Sequence, residues 1–152
     1  MLVVGGHRTV VTDTVLSYTR KAITMKTAIT TCQFLIRGAG VLQIGLGLLF
    51  WAGYQRNLIP IHMLIGLVLV LILWVLAVLA WRAGASLGFA LLAILWGVVV
   101  VGLGVMQTPL LPGAAHWVIQ LIHLIVGLAA MGIGERLVRL SKPHQGTALP
   151  VS

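Results

Sequence analysis

Two histidines inside long apolar stretches share a local sequence. Ile61-His62-Met-Leu-Ile-Gly66-Leu67 reappears as Ile122-His123-Leu-Ile-Val-Gly127-Leu128. Aliphatic matches mean little in a chain that is 60% hydrophobic, so the information lies in the His and in the Gly four residues later. An imidazole is costly in lipid and faces a partner in the protein interior. Its unprotonated nitrogen is a metal ligand. A glycine at i+4 leaves the helix face beside it bare, which is the clearance that a flat macrocycle lying along the helix requires. Two such histidines on parallel helices suit the axial positions of one six-coordinate heme b iron, held between helices of a bundle. A plainer reading competes: histidine as an interhelical hydrogen-bonding residue and glycine as a packing residue, in a chain with 18 glycines.

A third histidine complicates the pairing. His116, Gln120, His123 and Gly127 fall at i, i+4, i+7 and i+11, one face of a helix. Counted back from the next cationic end, His62 stands as far before Arg82 as His116 does before Arg136, so depth pairs His62 with His116. The repeat pairs it with His123. A last helix continuing through Arg139, with Glu135 and Arg139 paired at i, i+4, brings His123 to the right depth. His62 with His123 is the preferred pair, and His116 is a spare ligand or a hydrogen-bonding neighbour. Arg56 is the cation nearest these histidines and a candidate for a propionate carboxylate, or else an ordinary loop arginine with its head in water. Trp74 and Trp96 read as packing residues.

The elements that must position these side chains follow from hydropathy. Only 8% of the residues are charged, against about 25% in a soluble domain, and the mean hydropathy is +1.11. From Gly38 to Glu135 the only charges are Arg56, Arg82 and Glu135 itself. A water-facing surface cannot be built from that, so the chain reads as an integral membrane protein. The net charge of +8 is not a nucleic-acid signature, because the cations flank apolar segments. One cysteine, Cys32, permits no internal disulfide.

Four stretches reach the roughly 20 apolar residues that a helix needs to cross a bilayer, at about 35–54, 59–81, 86–106 and 114–138. The runs are continuous rather than alternating, which argues against a barrel. Gly45-Leu-Gly47 in the first span has a counterpart in Gly102-Leu-Gly104 in the third. The expected fold is an all-α integral membrane protein, an antiparallel four-transmembrane-helix bundle made of two similar helical hairpins. All Lys and Arg except Arg56 lie at one end or in the terminal segments, which puts both termini in the cytoplasm, as in a bacterial inner membrane. Residues 1–34 read as a cytoplasmic arm; within it 1–24 have no strong helical stripe and look like either an upstream extension of a chain starting at Met25-Lys-Thr-Ala or a disordered arm. Residues 141–152 read as a cytoplasmic tail.

The segment Gly97–Leu128, with Gly102-Leu-Gly104, a Pro-broken loop and Val118-Ile-Gln-Leu-Ile-His123-Leu-Ile-Val-Gly127, resembles the heme A synthase family. Members of that family are two four-helix halves with histidine pairs on their second and fourth helices, and residues 35–140 resemble one half. In the catalytic half a Glu stands three residues before the second-helix His, and an Arg commonly follows the His; here Ile59 and Met63 hold those places. The resemblance therefore implies the heme-holding, electron-transferring half rather than the oxidising one.

These readings converge on a small membrane cytochrome b in which His62 and His123 ligate one heme b (iron), flanked by Gly66, Gly127, His116, Gln120 and Arg56. It would be an electron-transfer protein more than a stand-alone enzyme, exchanging electrons with a quinone or a membrane redox partner and surrounded by membrane lipid. A bundle this small could be a homo-oligomer or a subunit of a larger complex, and nucleic acid has no part in it. The alternatives are a structural or assembly subunit without cofactor, and a (bacterio)chlorophyll-binding subunit in which each His acts singly.

Overall fold

The computed structural model of the protein describes residues 5–141, with side chains from 14 onward. Four helices account for nearly all of it: α1 (Gly5–Trp51), α2 (Ile59–Arg82), α3 (Leu87–Met106) and α4 (His116–Leu140). All four are long and apolar enough to cross a membrane. Large side chains such as Leu64, Leu71, Leu91, Leu95 and Val98 lie exposed around the outside, and the described residues bury no charged side chain. An apolar exterior of this kind is stable against lipid and not against water.

The turns are written locally. At Gly53 (φ +85) and Gly84 (φ +106), α1 and α2 each close with a left-handed glycine. Around Gly53 the amides of Gly53 and Tyr54 donate to Phe50 and Leu49 at 3.0 and 2.9 Å; around Gly84 those of Gly84 and Ala85 donate to Trp81 and Ala80 at 3.0 and 2.9 Å. Both are Schellman closures, which satisfy carbonyls that the helix end would leave orphaned. Ser86 then caps α3, its hydroxyl accepting from the Phe89 amide at 3.3 Å. Pro60 sits in the first turn of α2, where its missing N–H costs nothing.

The α2 and α4 helices touch across the middle of the bundle, each flanked by α1 and α3. Small residues let the backbones approach: Ala77, Ala80, Ala90, Ala93, Gly97, Ala130 and Gly134 are all buried. Larger side chains from Ile36, Leu73, Leu76 and Leu137 fill the space between them. Cys32 packs half-buried at the edge of this cluster.

The α1 helix corrects one expectation. Over residues 5–24 the disordered alternative is overturned, because they are helical and continuous with the rest of α1. The segment between His7 and Arg37 contains neither Gly nor Pro, and its many hydroxyls fold back on the helix itself. Thr19, Thr24 and Thr27 donate to the carbonyls of Val15, Arg20 and Ile23 at 2.9, 2.9 and 3.1 Å. Threonine in this bonding pattern does not stop a helix. The tail from Lys142 to Ser152 lies outside the described residues.

Candidate functional site

His62 stands in the first turn of α2 and His123 two turns into α4, and the contact between those helices brings the rings together. Their centroids are 6.5 Å apart with planes inclined at 57°. Phe50, at the end of α1, closes one side, edge-on to His62 with centroids 5.4 Å apart. Each imidazole buries Nδ1 with no hydrogen-bond partner, and a third orphan lies nearby on α1, the buried Oε1 of Gln43. Unpaired polar atoms of this kind cost roughly 1–3 kcal/mol each. Three of them at one end of an otherwise apolar bundle need a reason.

The repeat is a property of the structure as well as of the sequence. Gly47 on α1 lies against His62, where a Cβ would meet Cε1 at 3.9 Å, and Gly104 on α3 lies against His123, where it would meet Cε1 at 3.4 Å. Each hairpin thus presents a glycine from its first helix to the histidine of its second. Counted in the same register, the likeness extends further than the histidine and Gly-Leu-Gly segments. Gly40-Val41 aligns with Gly97-Val98, and Met131 with Val70. A Cβ on Gly40 would meet Met131 Sδ and Cε at 2.5 Å, and one on Gly97 would meet Val70 Cγ1 at 2.9 Å. The α1–α4 and α3–α2 seams therefore repeat the same notch. The two hairpins are related by a pseudo-twofold axis running between α2 and α4.

The glycines one turn below the histidines behave differently from each other. Gly127 has open space in place of a side chain, as expected. Gly66 does not: the Gln43 amide occupies its face, and a Cβ there would lie 2.6 Å from Nε2. Bare space beside both histidines is thus corrected to bare space beside one. Val100 holds the place of Gln43 in the second hairpin, which is why Gly127 stays open. Gln43 is the residue that sequence reasoning missed. Its available signal was a polar side chain whose counterpart in the repeat is aliphatic.

The remaining candidates are spread around the pair. His116 is half-buried at the start of α4, with Nδ1 3.4 Å from the Leu110 carbonyl oxygen, and the ring beside His62 is that of His123. Gln120 is half-buried without a hydrogen bond among the described residues. Arg56 is exposed on a single 3-10 turn, Arg56–Leu58, immediately ahead of α2. It makes no ion pair among the described residues. Trp74 and Trp96 tie neighbouring helices, donating from Nε1 to the carbonyls of Ile94 and Val126, each at 3.0 Å.

At the other end of the bundle, Glu135 does not pair with Arg139. Arg37 of α1 takes it instead, Nε to Oε1 at 2.5 Å and an Nη to Oε2 at 2.9 Å, while the Gln33 amide donates to Oε2 at 2.9 Å. The carboxylate reaches across to α1 because a bidentate guanidinium outcompetes a neighbour on its own helix.

Among the described residues no group of three or more His, Cys, Asp or Glu is placed to hold a metal ion, so the donor set at the histidine end is two imidazoles and an amide. Against family models, curated proteins and solved structures, the chain has no match in any of the three.

Proposed function

We propose that the protein is a small membrane cytochrome b, with His62 and His123 as the axial ligands of one heme b. The observation that carries this reading is the neighbouring imidazole pair, 6.5 Å between centroids, with a buried, unpartnered Nδ1 on each ring. Two donors suit a metal that brings its own in-plane ligands. His62 and His123 would hold the heme, and it would supply reversible one-electron transfer.

The chain's own residues have distinct parts in this reading. Gly47 and Gly104 leave each imidazole unobstructed from the facing helix, and Gly127 provides the bare surface for a macrocycle edge. Arg56, unpaired at the same end, is the cation available to a propionate carboxylate. The likeness of Gly97–Leu128 to the heme-holding half of the heme A synthases supports the same assignment. Both termini and the Arg82 loop lie on the cytoplasmic side, following the distribution of Lys and Arg. Electrons pass to or from a quinone or membrane redox partner.

A cofactor-free packing subunit is the second reading, and one observation favours it: Gln43 already fills the face of Gly66. An oxidised-minus-reduced absorbance spectrum of the detergent-purified protein, with a pyridine hemochrome assay, separates the two. The cytochrome shows sharp reduced α and Soret bands at about one heme per chain. Colourless protein from heme-replete cells overturns it.

A further inference from the structure

The end of the bundle remote from the histidines holds a feature with no place in electron transfer. The α2 helix has 24 residues, about 36 Å at 1.5 Å per residue. That exceeds a hydrocarbon core of about 30 Å, so Arg82, its last residue, reaches the headgroup level. The α1 helix has 47 residues and stands well beyond α2 at this end. Where the two part, a groove of about 640 Å³ opens between them. Its floor is apolar, from Met25, Ala28 and Leu79, and its rim is cationic, from Arg20, Lys21 and Arg82. Among the described residues no acidic side chain lines it, and none of the three cations makes an ion pair. Arg20 and Lys21 lie about one helical turn further out along α1 than Thr24 and Met25. The charges therefore sit at headgroup depth and the floor at acyl depth.

We infer that this groove binds one anionic phospholipid, its phosphate and headgroup held by Arg20, Lys21 and Arg82 and the start of its acyl chains laid on Met25, Ala28 and Leu79. Three cations without a counterion among the described residues, converging from two helices, form a locally positive site, and each basic residue near an anionic membrane surface adds attraction. The apolar floor selects an amphiphile over a free anion. The site is independent of any cofactor, since the histidine pair lies at the opposite end of α2.

The test is electron paramagnetic resonance of the full chain reconstituted in phosphatidylcholine vesicles carrying a trace of spin-labelled phosphatidylglycerol or spin-labelled phosphatidylcholine. The native protein immobilises the anionic label at least about fivefold more readily, the factor one surface cation contributes. The triple variant Arg20→Gln/Lys21→Gln/Arg82→Gln loses that preference, whereas Arg136→Gln/Arg139→Gln, which removes cations of α4 at the same end, keeps it. Should the triple variant fail to fold, Arg82→Gln alone lowers the preference without abolishing it. Equal immobilisation of the two labels by the native chain overturns the proposal, as an acidic protein partner in the groove would produce. So does a triple variant that retains the preference. Inorganic phosphate that displaces the anionic label more than chloride at matched ionic strength also overturns it, and makes the groove a site for the free anion.

Discussion

The two interhairpin seams start from the same plan and are fastened by different chemistry. In the register that equates Gly40 with Gly97 and Met131 with Val70, Arg37 of α1 corresponds to Ile94 of α3, and Glu135 of α4 to Trp74 of α2. The α1–α4 seam is tied by the Arg37–Glu135 ion pair. At the equivalent place the α3–α2 seam is tied by the Trp74 indole donating to the Ile94 carbonyl at 3.0 Å. A volume exchange accompanies the change. Ile36 lies against Gly134, where a Cβ would sit 3.2 Å from Cδ1, while the corresponding residues of the other seam are Ala93 and Leu73, both fully buried. Large opposite small has become small opposite large, and the packed volume is kept to within one methyl group, close to the kind of swap that cores tolerate best. At the histidine end Gln43 and Val100 differ, but the histidines and the glycines against them do not. His62 and His123, Gly47 and Gly104 remain paired type for type, so the constraint on that end concerns chemistry at specific atoms rather than volume.

The largest effect should come from the part that stayed symmetric. With the imidazoles acting as one ligand pair, His62→Ala and His123→Ala each abolish the low-spin reduced spectrum, and the two losses are equal. Two pigments held singly would give half-loss in each variant, and a hydrogen-bonding role would leave the spectrum untouched. His116→Ala serves as the control and keeps the bands, since the His116 Nδ1 lies beside the Leu110 carbonyl oxygen, at 3.4 Å.

The glycine notches should separate the seams next. An added methyl at Gly97 runs into the Trp74 indole nitrogen and into Val70 Cγ1 at 2.9 Å, and the indole is already fixed by its hydrogen bond to Ile94. Gly97→Ala is expected to destabilise by roughly 1–3 kcal/mol, as overpacking does. At Gly40 the obstruction is the thioether end of Met131, which has rotamers available to move aside. Gly40→Ala is expected to cost under about 1 kcal/mol. Unfolding of both variants in mixed detergent and denaturing micelles gives the comparison, and equal costs would show that Met131 is as tightly held as Trp74.

How much of this was legible follows from where each signal resides. Four membrane spans stand in the hydropathy alone, because no other element can carry so few charges. The choice of His123 over His116 stands in the repeat. Depth counting favoured His116 because it treated Arg136 as the end of the helix, whereas α4 runs to Leu140. The helical state of residues 5–24 has no apolar stripe to announce it, in a segment whose hydroxyls bond back to their own helix. The partner of Glu135 was hidden because sequence spacing shows neighbours on the same helix and not the arginine that packing delivers from another. Gln43 was hidden for the same reason, as its meaning comes from Gly66 on the next helix.

Gln43 supplies the third test, one in which the hairpins should respond with opposite sign. Its Oε1 is buried without a partner. Gln43→Leu replaces the amide by a side chain of similar size and, in protein purified without heme, is expected to stabilise by about 1 kcal/mol. Val100→Gln, the same exchange run backwards at the equivalent position of α3, is expected to destabilise by about as much. A loss of stability from Gln43→Leu would mean that the amide has a partner in the membrane-embedded protein, and the pseudo-twofold comparison would have to include it.

The smallest effects should come from the fastenings. Trp74→Phe removes one interhelical hydrogen bond while keeping an aromatic ring, and bonds of this class in membrane proteins are worth about 0.6 kcal/mol. For the ion pair the informative measurement is a rescue rather than a loss, because Arg37 is 55% exposed and solvent and headgroups screen the attraction. Arg37→Glu sets two carboxylates against each other and lowers the unfolding midpoint, and adding Glu135→Arg restores most of it. Rescue would show that the seam needs opposite charges and is indifferent to which helix carries which. Failure of the double variant would place the requirement on the bidentate geometry, with Gln33 holding Glu135 from the side. The two seams would then differ in how strictly their fastenings are oriented as well as in their chemistry.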